Sequence, residues 1–427
     1  MTFKYTLDFA KYLDTNDPLA SYKEQFHFPQ HKGENVIYFT GNSLGLQPKR
    51  TQKYIDEVLK DWREMGVEGH FHSDKPWWDY HERFAEPLSK IVGALPSEVS
   101  VMNTLTVNLH LLMVSFYQPT KERYKIICEA KAFPSDQYML ASQLRFHGYT
   151  KEEALIEVST KEESNYLRTE DILEIIEKEG DQCAVLLMGG VNYYSGQVLD
   201  IQRITKAAKA KGIKVGWDLA HAVGNVALSL HDWEVDFAAW CSYKYMNSGP
   251  GSVSGYFVHE QYHNQKDIPR FEGWWGHHKE QRFMMAPEFV PEPNANAWQV
   301  SNTPIFSLAP YLASLTMFEE VGMSAIIKKR KLIVSYLEFI LLEIAKKFEA
   351  TFEIITPIAP EERGTQLSVY LHGFGRKVFD ELMNNGVVVD WREPNVIRLA
   401  PVALYCSYED MYYFGKVLEK ALTNSRK

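Results

Sequence analysis

Between Val101 and Val258 short apolar runs of strand length alternate with segments whose apolar residues recur at helical spacing. KIICE (125–129), ALIEV (154–158), CAVLLMG (183–189), IKVGWD (213–218), DFAAWCS (236–242) and VSGYFVH (253–259) read as strands. SDQYMLASQLRFHG after Pro134, EDILEIIEKEG and DIQRITKAAKAKG read as the helices between them, each closing on a glycine. This alternation predicts an α/β fold, a mostly parallel sheet flanked by crossover helices.

Ahead of this block, PKRTQKYIDEVLKDWREMG has the pattern of an amphipathic helix, with proline near its start and glycine after its end. Behind it, an irregular Pro/Trp-rich stretch (268–303) leads into long helical patterns (304–349). The tail then reads strand (TFEII), strand (QLSVYL), helix (KVFDELMNNG), strand (VVVD), strand (NVIRLA) and helix (YEDMYYFGKVLEKAL), a smaller α+β unit. No repeat or low-complexity linker separates the two, so they are expected to pack together. The expected division is an N-terminal segment, 1–75, lying on the small domain, a large domain, 76–310, and a small C-terminal α+β domain, 311–427.

Charge narrows the possible partners. With 46 Lys+Arg against 55 Asp+Glu the net charge is −9, and no long basic run occurs, which argues against nucleic acid and anionic membrane. The opening MTFKYTLDFAKYLD is charged throughout, and no stretch approaches the roughly 20 apolar residues of a membrane span. A soluble, cytoplasmic protein is expected. Cys128, Cys183, Cys241 and Cys406 lie far apart, mostly in apolar runs, as buried reduced thiols do. The histidines show no HExxH or similar spacing, so no metal site is expected.

Candidate chemistry begins at WCSYKYMNSGPG (240–251), where Lys244 stands between an apolar run and a glycine-rich turn. A lysine amine is a nucleophile only when neutral, and partial burial at a strand end favours that form; the alternative is a lysine reaching solvent. Asp218, 26 residues earlier in KVGWDLAHAVG, ends the preceding strand. Both residues would then face the crevice at the carboxyl ends of a parallel sheet. A carboxylate there can pair with a pyridinium nitrogen, an attraction of roughly 4 kcal/mol at about 4 Å and an effective dielectric of 20. Capping a following helix is the alternative role.

Phosphate donors are offered by VMNTLTVNLHLLM, where Asn103 or Thr104 caps a helix whose first N–H groups, with the Thr106 hydroxyl, suit a dianion. In EAKAFPSDQ, Phe133 lies just past a strand and Pro134 and Ser135 open a helix, so its ring either faces a flat cofactor or belongs to the core. Arg398, inside VIRLAPV, requires an anion to offset its burial, either a bound carboxylate or an internal salt bridge. No glycine stretch matches GxGxxG or GxxxxGK[ST], which argues against nicotinamide and nucleoside triphosphate ligands; the glycines of TGNSLGLQPK (40–49) read as turns.

Taken in order, TGNSLGLQPK, NTLTVNLHLLM, EAKAFPSD, NYYSGQ, WDLAHAVGN, LHDWEVDFAAWCSYKYMNSGPG, GWWGH, SNTP and IRLAPVALY resemble the kynureninases, fold-type I pyridoxal phosphate enzymes, from about Tyr38 to Asp410. The resemblance implies hydrolysis of L-kynurenine or its 3-hydroxy form to L-alanine and an anthranilate, in tryptophan breakdown or NAD synthesis. It further implies that residues 76–310 bind pyridoxal 5'-phosphate and that Lys244 is the Schiff-base lysine. Asp218 becomes the partner of the ring nitrogen and His221 a neighbour that orders the cofactor. Leu105 and Thr106 form the phosphate-binding pair, Phe133, Pro134, Ser135 and Asp136 lie against the ring, and Tyr243 bonds the phosphate and relays a proton. Trp274 and Asn302 are expected to reach the cofactor from the other subunit of a homodimer. His70 and Asn302 touch the aromatic part of the substrate, and Arg398 grips its carboxylate. His70 and the nearby Pro-Trp-Trp also read as a packed aromatic corner. Gly189 departs from the pattern, standing where many members carry a serine or threonine hydroxyl.

The rival readings are another enzyme of the same fold, a cysteine desulfurase or class V aminotransferase, and a protein that keeps the fold only for binding. A desulfurase needs a mobile nucleophilic cysteine, and after Lys244 the chain has only Cys406, in LYCSYED.

Overall fold

A computed structural model describes residues 2–161, 166–349 and 351–425. Its centre is a seven-stranded sheet of β1 (Val99–Met102), β2 (Lys125–Glu129), β3 (Leu155–Val158), β4 (Cys183–Gly189), β5 (Lys214–Asp218), β6 (Phe237–Trp240) and β7 (Ser254–Val258). The spatial order is β1-β7-β6-β5-β4-β2-β3. β7 alone runs against its neighbours β6 and β1; the other pairs are parallel. This is the α/β architecture expected. β1 precedes the first strand anticipated from the apolar runs, and the reversal of β7 is not written in its composition.

The near-continuous apolar runs have a direct cause, because both faces of the sheet are covered. Alternate residues of one strand enter two different cores. Val185 and Leu187 of β4 pack with Leu109, Leu112 and Met113 of α1 (Leu105–Phe116) and with Met139, Leu140 and Leu144 of α2 (Pro134–Phe146). Leu186 and Met188 pack on the other face with Ile172 and Ile176 of α3 (Thr169–Glu179) and Ile204 and Ala208 of α4 (Ile201–Ala210). Two of the predicted glycine stops have left-handed φ, Gly148 at 85° and Gly212 at 75°. Gly180 instead keeps a right-handed φ of −56° and continues into a short 3-10 turn.

After α5 (Ile305–Val321) and α6 (Met323–Lys347), a second, antiparallel sheet contains β8 (Phe352–Ile354), β9 (Leu367–Leu371), β10 (Asp390–Arg392) and β11 (Val396–Leu399), in the order β8-β9-β11-β10. The valines of VVVD do not enter it, since Val387–Val388 pairs in parallel with Ile37–Tyr38 near the N-terminus, and only its Asp390 does, as the first residue of β10. The sheet's fourth strand is β10, three residues with no apolar alternation to announce them. The helix Tyr408–Ser425 closes the fold, and Asp14 accepts from its first N–H groups, Tyr408 at 2.8 Å and Glu409 at 2.9 Å. Among the described residues no helix is long and apolar enough to cross a membrane, and all four cysteines are free and buried.

Candidate active site

The chain moves outward from β2 to β3 and returns on the other side of β2 to build β4, β5 and β6, so a crevice opens at the carboxyl ends of β2 and β4. A cavity of ≈ 310 Å³ lies there, at the lower end of the roughly 300–1,000 Å³ typical of ligand pockets. Its walls include Glu129, Gly189 and Asp218, the last residues of β2, β4 and β5, and the segment after β6 adds Tyr243 and Lys244.

Ten of the residues singled out from the sequence line this cavity: Leu105, Thr106, Phe133, Ser135, Asp136, Asp218, His221, Tyr243, Lys244 and Arg398. Pro134 occupies the first position of α2 between two of them. Lys244 is half-buried, and its Nζ lies 2.9 Å from Nε2 of His221. Burial first, and then the positive charge of Lys244, hold the His221 imidazole well below its ordinary pKa. The ring is therefore neutral and accepts from the amine through Nε2, which leaves its buried Nδ1 without a partner.

Three carboxyl groups, Glu129, Asp136 and Asp218, also line the cavity. Burial pushes Glu129 up to about 7, although Asn192 donates to its Oε2 at 3.3 Å. Burial, and next the charge of Asp218, raise Asp136 well above the carboxylate range, since two adjacent carboxyls do not both ionise easily. Asp218 caps no helix: its Oδ1 accepts from Ala220 N at 2.7 Å, and turns follow. Glycine at 189 has a local explanation, because a Cβ there would come within 3.0 Å of Glu129 Oε1.

The N-terminus of α1 also lines the cavity, through Thr104, Leu105 and Thr106. Thr104 is its N-cap, yet no side chain caps the helix and no acidic residue stands in its first turn. The uncapped N–H groups, with Thr104 and Thr106 on the cavity wall, suit a phosphate. An anion-accepting helix start, an acidic group for a ring nitrogen, an unpaired buried imidazole nitrogen and an amine in one cavity fit pyridoxal phosphate.

Arg398, on β11 of the second sheet, is 1% exposed. It donates through Nη1 to Tyr193 O at 2.6 Å and through Nη2 to Asp390, so the internal salt bridge weighed for it is present. Its Nε is buried without a partner. Phe133 stays 44% exposed, edge-on to Tyr193 at 5.2 Å, and is not a core residue.

Trp274, His70 and Asn302 do not line the cavity. Trp274, 46% exposed, packs with Trp78, Trp275 and Phe283. His70 bonds Val67 O at 3.0 Å and packs on Trp77, the aromatic corner anticipated, and Asn302 is exposed. The cavity also contains Asn42, Ser43, Glu129, Tyr193 and Arg392, which sequence reasoning passed over. Glu129 carried the same signal as Asp218, an acid ending an apolar strand; Arg392, in the short β10, carried none.

A family model described as the kynureninase C-terminal domain matches residues 329–418. Over almost the whole chain the sequence is 68% identical to a kynureninase of Flavobacterium johnsoniae, covering 99% of each protein. A kynureninase of Myxococcus xanthus is 52% identical, with 98% of this chain and 97% of that protein covered. Among solved structures, a cysteine desulfurase of Thermococcus onnurineus NA1 superposes with a TM-score of 0.75 at 16% identity, covering 91% of this chain and 95% of that one. A C-DES mutant with glycine covalently linked to its PLP cofactor gives 0.75 at 14% identity, covering 90% and 96%. These two likenesses establish the fold. They do not extend to desulfurase chemistry, since Cys406 is buried and its thiol is pushed up to about 12, chiefly by burial.

Proposed function

The chain belongs to the kynureninase family, and on that premise we propose that its cavity hydrolyses the Cβ–Cγ bond of L-kynurenine or 3-hydroxy-L-kynurenine, giving L-alanine and the corresponding anthranilate. Pyridoxal phosphate is the cofactor; when bound, it supplies a carbonyl for the substrate amine and a ring that accepts electrons from the α-carbon. The observation that carries the proposal is the convergence of Lys244, His221, Asp218 and Arg398 in one cavity.

In this reading Lys244 would hold the cofactor covalently, and its amine, when free, would take the α-proton of the substrate. His221, kept neutral by burial, orients that amine through Nε2. Asp218 would pair with the ring nitrogen, and burial keeps the neighbouring Asp136 from competing as a second anion. Leu105 and Thr106 hold the phosphate at the start of α1, and Phe133, Pro134 and Ser135 form the side wall. Burial raises the phenol of Tyr243, so it serves as a proton donor at the oxygen that gains charge as water adds to the substrate ketone. Arg398 grips the α-carboxylate with its planar fork.

The same proposal makes the enzyme a cytoplasmic homodimer with shared sites. The exposed Trp274, Phe283 and Met284, 46%, 54% and 73% exposed, support a surface that another chain covers. Trp274, Asn302 and His70 would then complete the partner's cavity. Residues 76–310 act as the cofactor-binding domain and 311–427 as the small domain that brings Arg398, with 1–75 laid across it.

The test is to purify the protein with pyridoxal phosphate, record its visible spectrum, and follow anthranilate fluorescence after adding L-kynurenine, with the 3-hydroxy substrate in parallel. Release of either anthranilate by a yellow protein supports the reading and ranks the substrates; a yellow protein that leaves both intact refutes it.

A further inference from the structure

The arginine end of the cavity contains a group that the reaction just described does not use. Asp390 on β10 faces Arg398 on β11 across the antiparallel register, and its Oδ2 accepts from Arg398 Nη2. The same oxygen lies 3.3 Å from Arg392 Nη2. Both arginines line the cavity, but they differ in freedom, the Arg392 side chain being 35% exposed and that of Arg398 1%. Arg392 also lines an adjoining cavity of ≈ 560 Å³ with Lys131, Tyr193 and Tyr194.

Counting charges separates their roles. Arg398 with Asp390 alone is a closed neutral pair, and a carboxylate arriving beside it would meet the charge of Asp390 in a poorly solvated corner, where repulsion is costly. With Arg392 the corner has two positive charges against one negative, and one unit remains for an incoming anion. We propose that Asp390 is a positioning residue shared by two arginines: it accepts from Nη2 of Arg398 until a substrate carboxylate arrives and then passes to Arg392. Arg392 is therefore part of the carboxylate site. The inference rests on the reading of Arg398 as the carboxylate grip, and the incoming anion balances the one positive charge left over by Asp390.

The experiment titrates the holoenzyme with L-alanine, which has the amine and carboxylate but no aryl group, and follows cofactor absorbance for Kd; steady-state assays with L-kynurenine give KM and kcat. Arg392→Gln is expected to weaken L-alanine binding and raise KM about five- to tenfold, as loss of a partly screened charge contact does, with a smaller fall in kcat. Asp390→Asn keeps the shape and a hydrogen-bonding group but removes the competing anion, so L-alanine should bind about threefold tighter or more. A merely structural strut predicts the opposite sign. Weaker binding by Asp390→Asn, or a wild-type Kd in Arg392→Gln, would overturn the exchange. Arg398→Lys is measured alongside: undiminished L-alanine binding there would overturn the carboxylate reading itself, so the two failures are read from different variants.

Discussion

Glu129, Asp136 and Asp218 bring three carboxyl groups to one edge of a sheet, and burial raises the pKa of Glu129 and Asp136. Glu129 rises from 4.5 to about 7 in the fold. Between those values the folded chain holds a proton that the unfolded chain has released, so this group makes stability fall as pH rises through the window. His81 acts in the opposite sense: burial, then Arg282, lower it from 6.5 to about 3, so between those values the unfolded chain binds the extra proton and stability rises with pH. Glu129→Gln cannot ionise. Its apoprotein Tm should gain on wild type steadily from about pH 4.5 to 7; a Tm difference that is flat across this range would sink the assignment. In catalysis, Lys244→Ala should abolish turnover, and near-normal kcat in that variant excludes Lys244 as tether and base. Arg398→Lys loses the planar fork and should raise KM for L-kynurenine by about tenfold or more; an unchanged KM counts against it.

The loop 40–49 shows how an irregular element positions a reactive one. Gly45 donates its N–H to Tyr243 O at 2.8 Å, and a Cβ at this position would lie 2.4 Å from Lys244 O and 2.2 Å from Asn247 Oδ1. Backbone meets backbone here, so no side-chain rotation relieves the clash. Gly45→Ala should therefore cost about 1–3 kcal/mol, as overpacking does. It should also move the segment bearing Lys244, lowering kcat/KM by about tenfold or more. Thermal melting and steady-state kinetics check both; full activity with a lowered Tm would show that the contact is structural only. The sequence marked this glycine as a turn residue, which was true of its chain direction but silent about its neighbour. The main strands were legible because burial on both faces makes them continuous apolar runs. β10 was touched only at Asp390, the end of VVVD, because its polar or amphipathic residues become a strand only by pairing with β11.

Across the whole molecule, three separate parts of the chain meet at the cavity: Asn42 and Ser43 near the N-terminus, the strand ends of the large sheet, and Arg392 and Arg398 of the small one. The aromatic cluster of the exposed Phe71, Trp274 and Phe283 around the half-buried Trp78 carries the proposal one level further, to a pair of chains. Light scattering should give twice the monomer mass. If Asn302 serves the partner's cavity, Lys244→Ala and Asn302→Ala enzymes, each impaired alone, should recover activity when unfolded together and refolded as a mixture, because some hybrid dimers then contain one intact site. No recovery from a mixture that does form hybrids would show that Asn302 does not act across the interface.

What the sequence by itself determined was local and additive. Periodicity set the strands and helices, and the residue types at strand ends, Asp218 and the lysine after DFAAWCS, marked the chemistry, because side-chain direction follows directly from backbone repeat. The reversal of β7, the pairing of residues 387–388 with 37–38, and the sharing of Asp390 by two arginines were decided only by the tertiary structure. Glu98, His231 and His259 make the same point away from the site. Glu98 and His231 stand 133 positions apart without any motif, yet the buried carboxylate meets the imidazole at 3.0 Å, and His259 stacks on His231 at 5.1 Å. Such contacts depend on which surfaces come together when two cores close, and a linear pattern holds no term for distances between residues that are far apart along it.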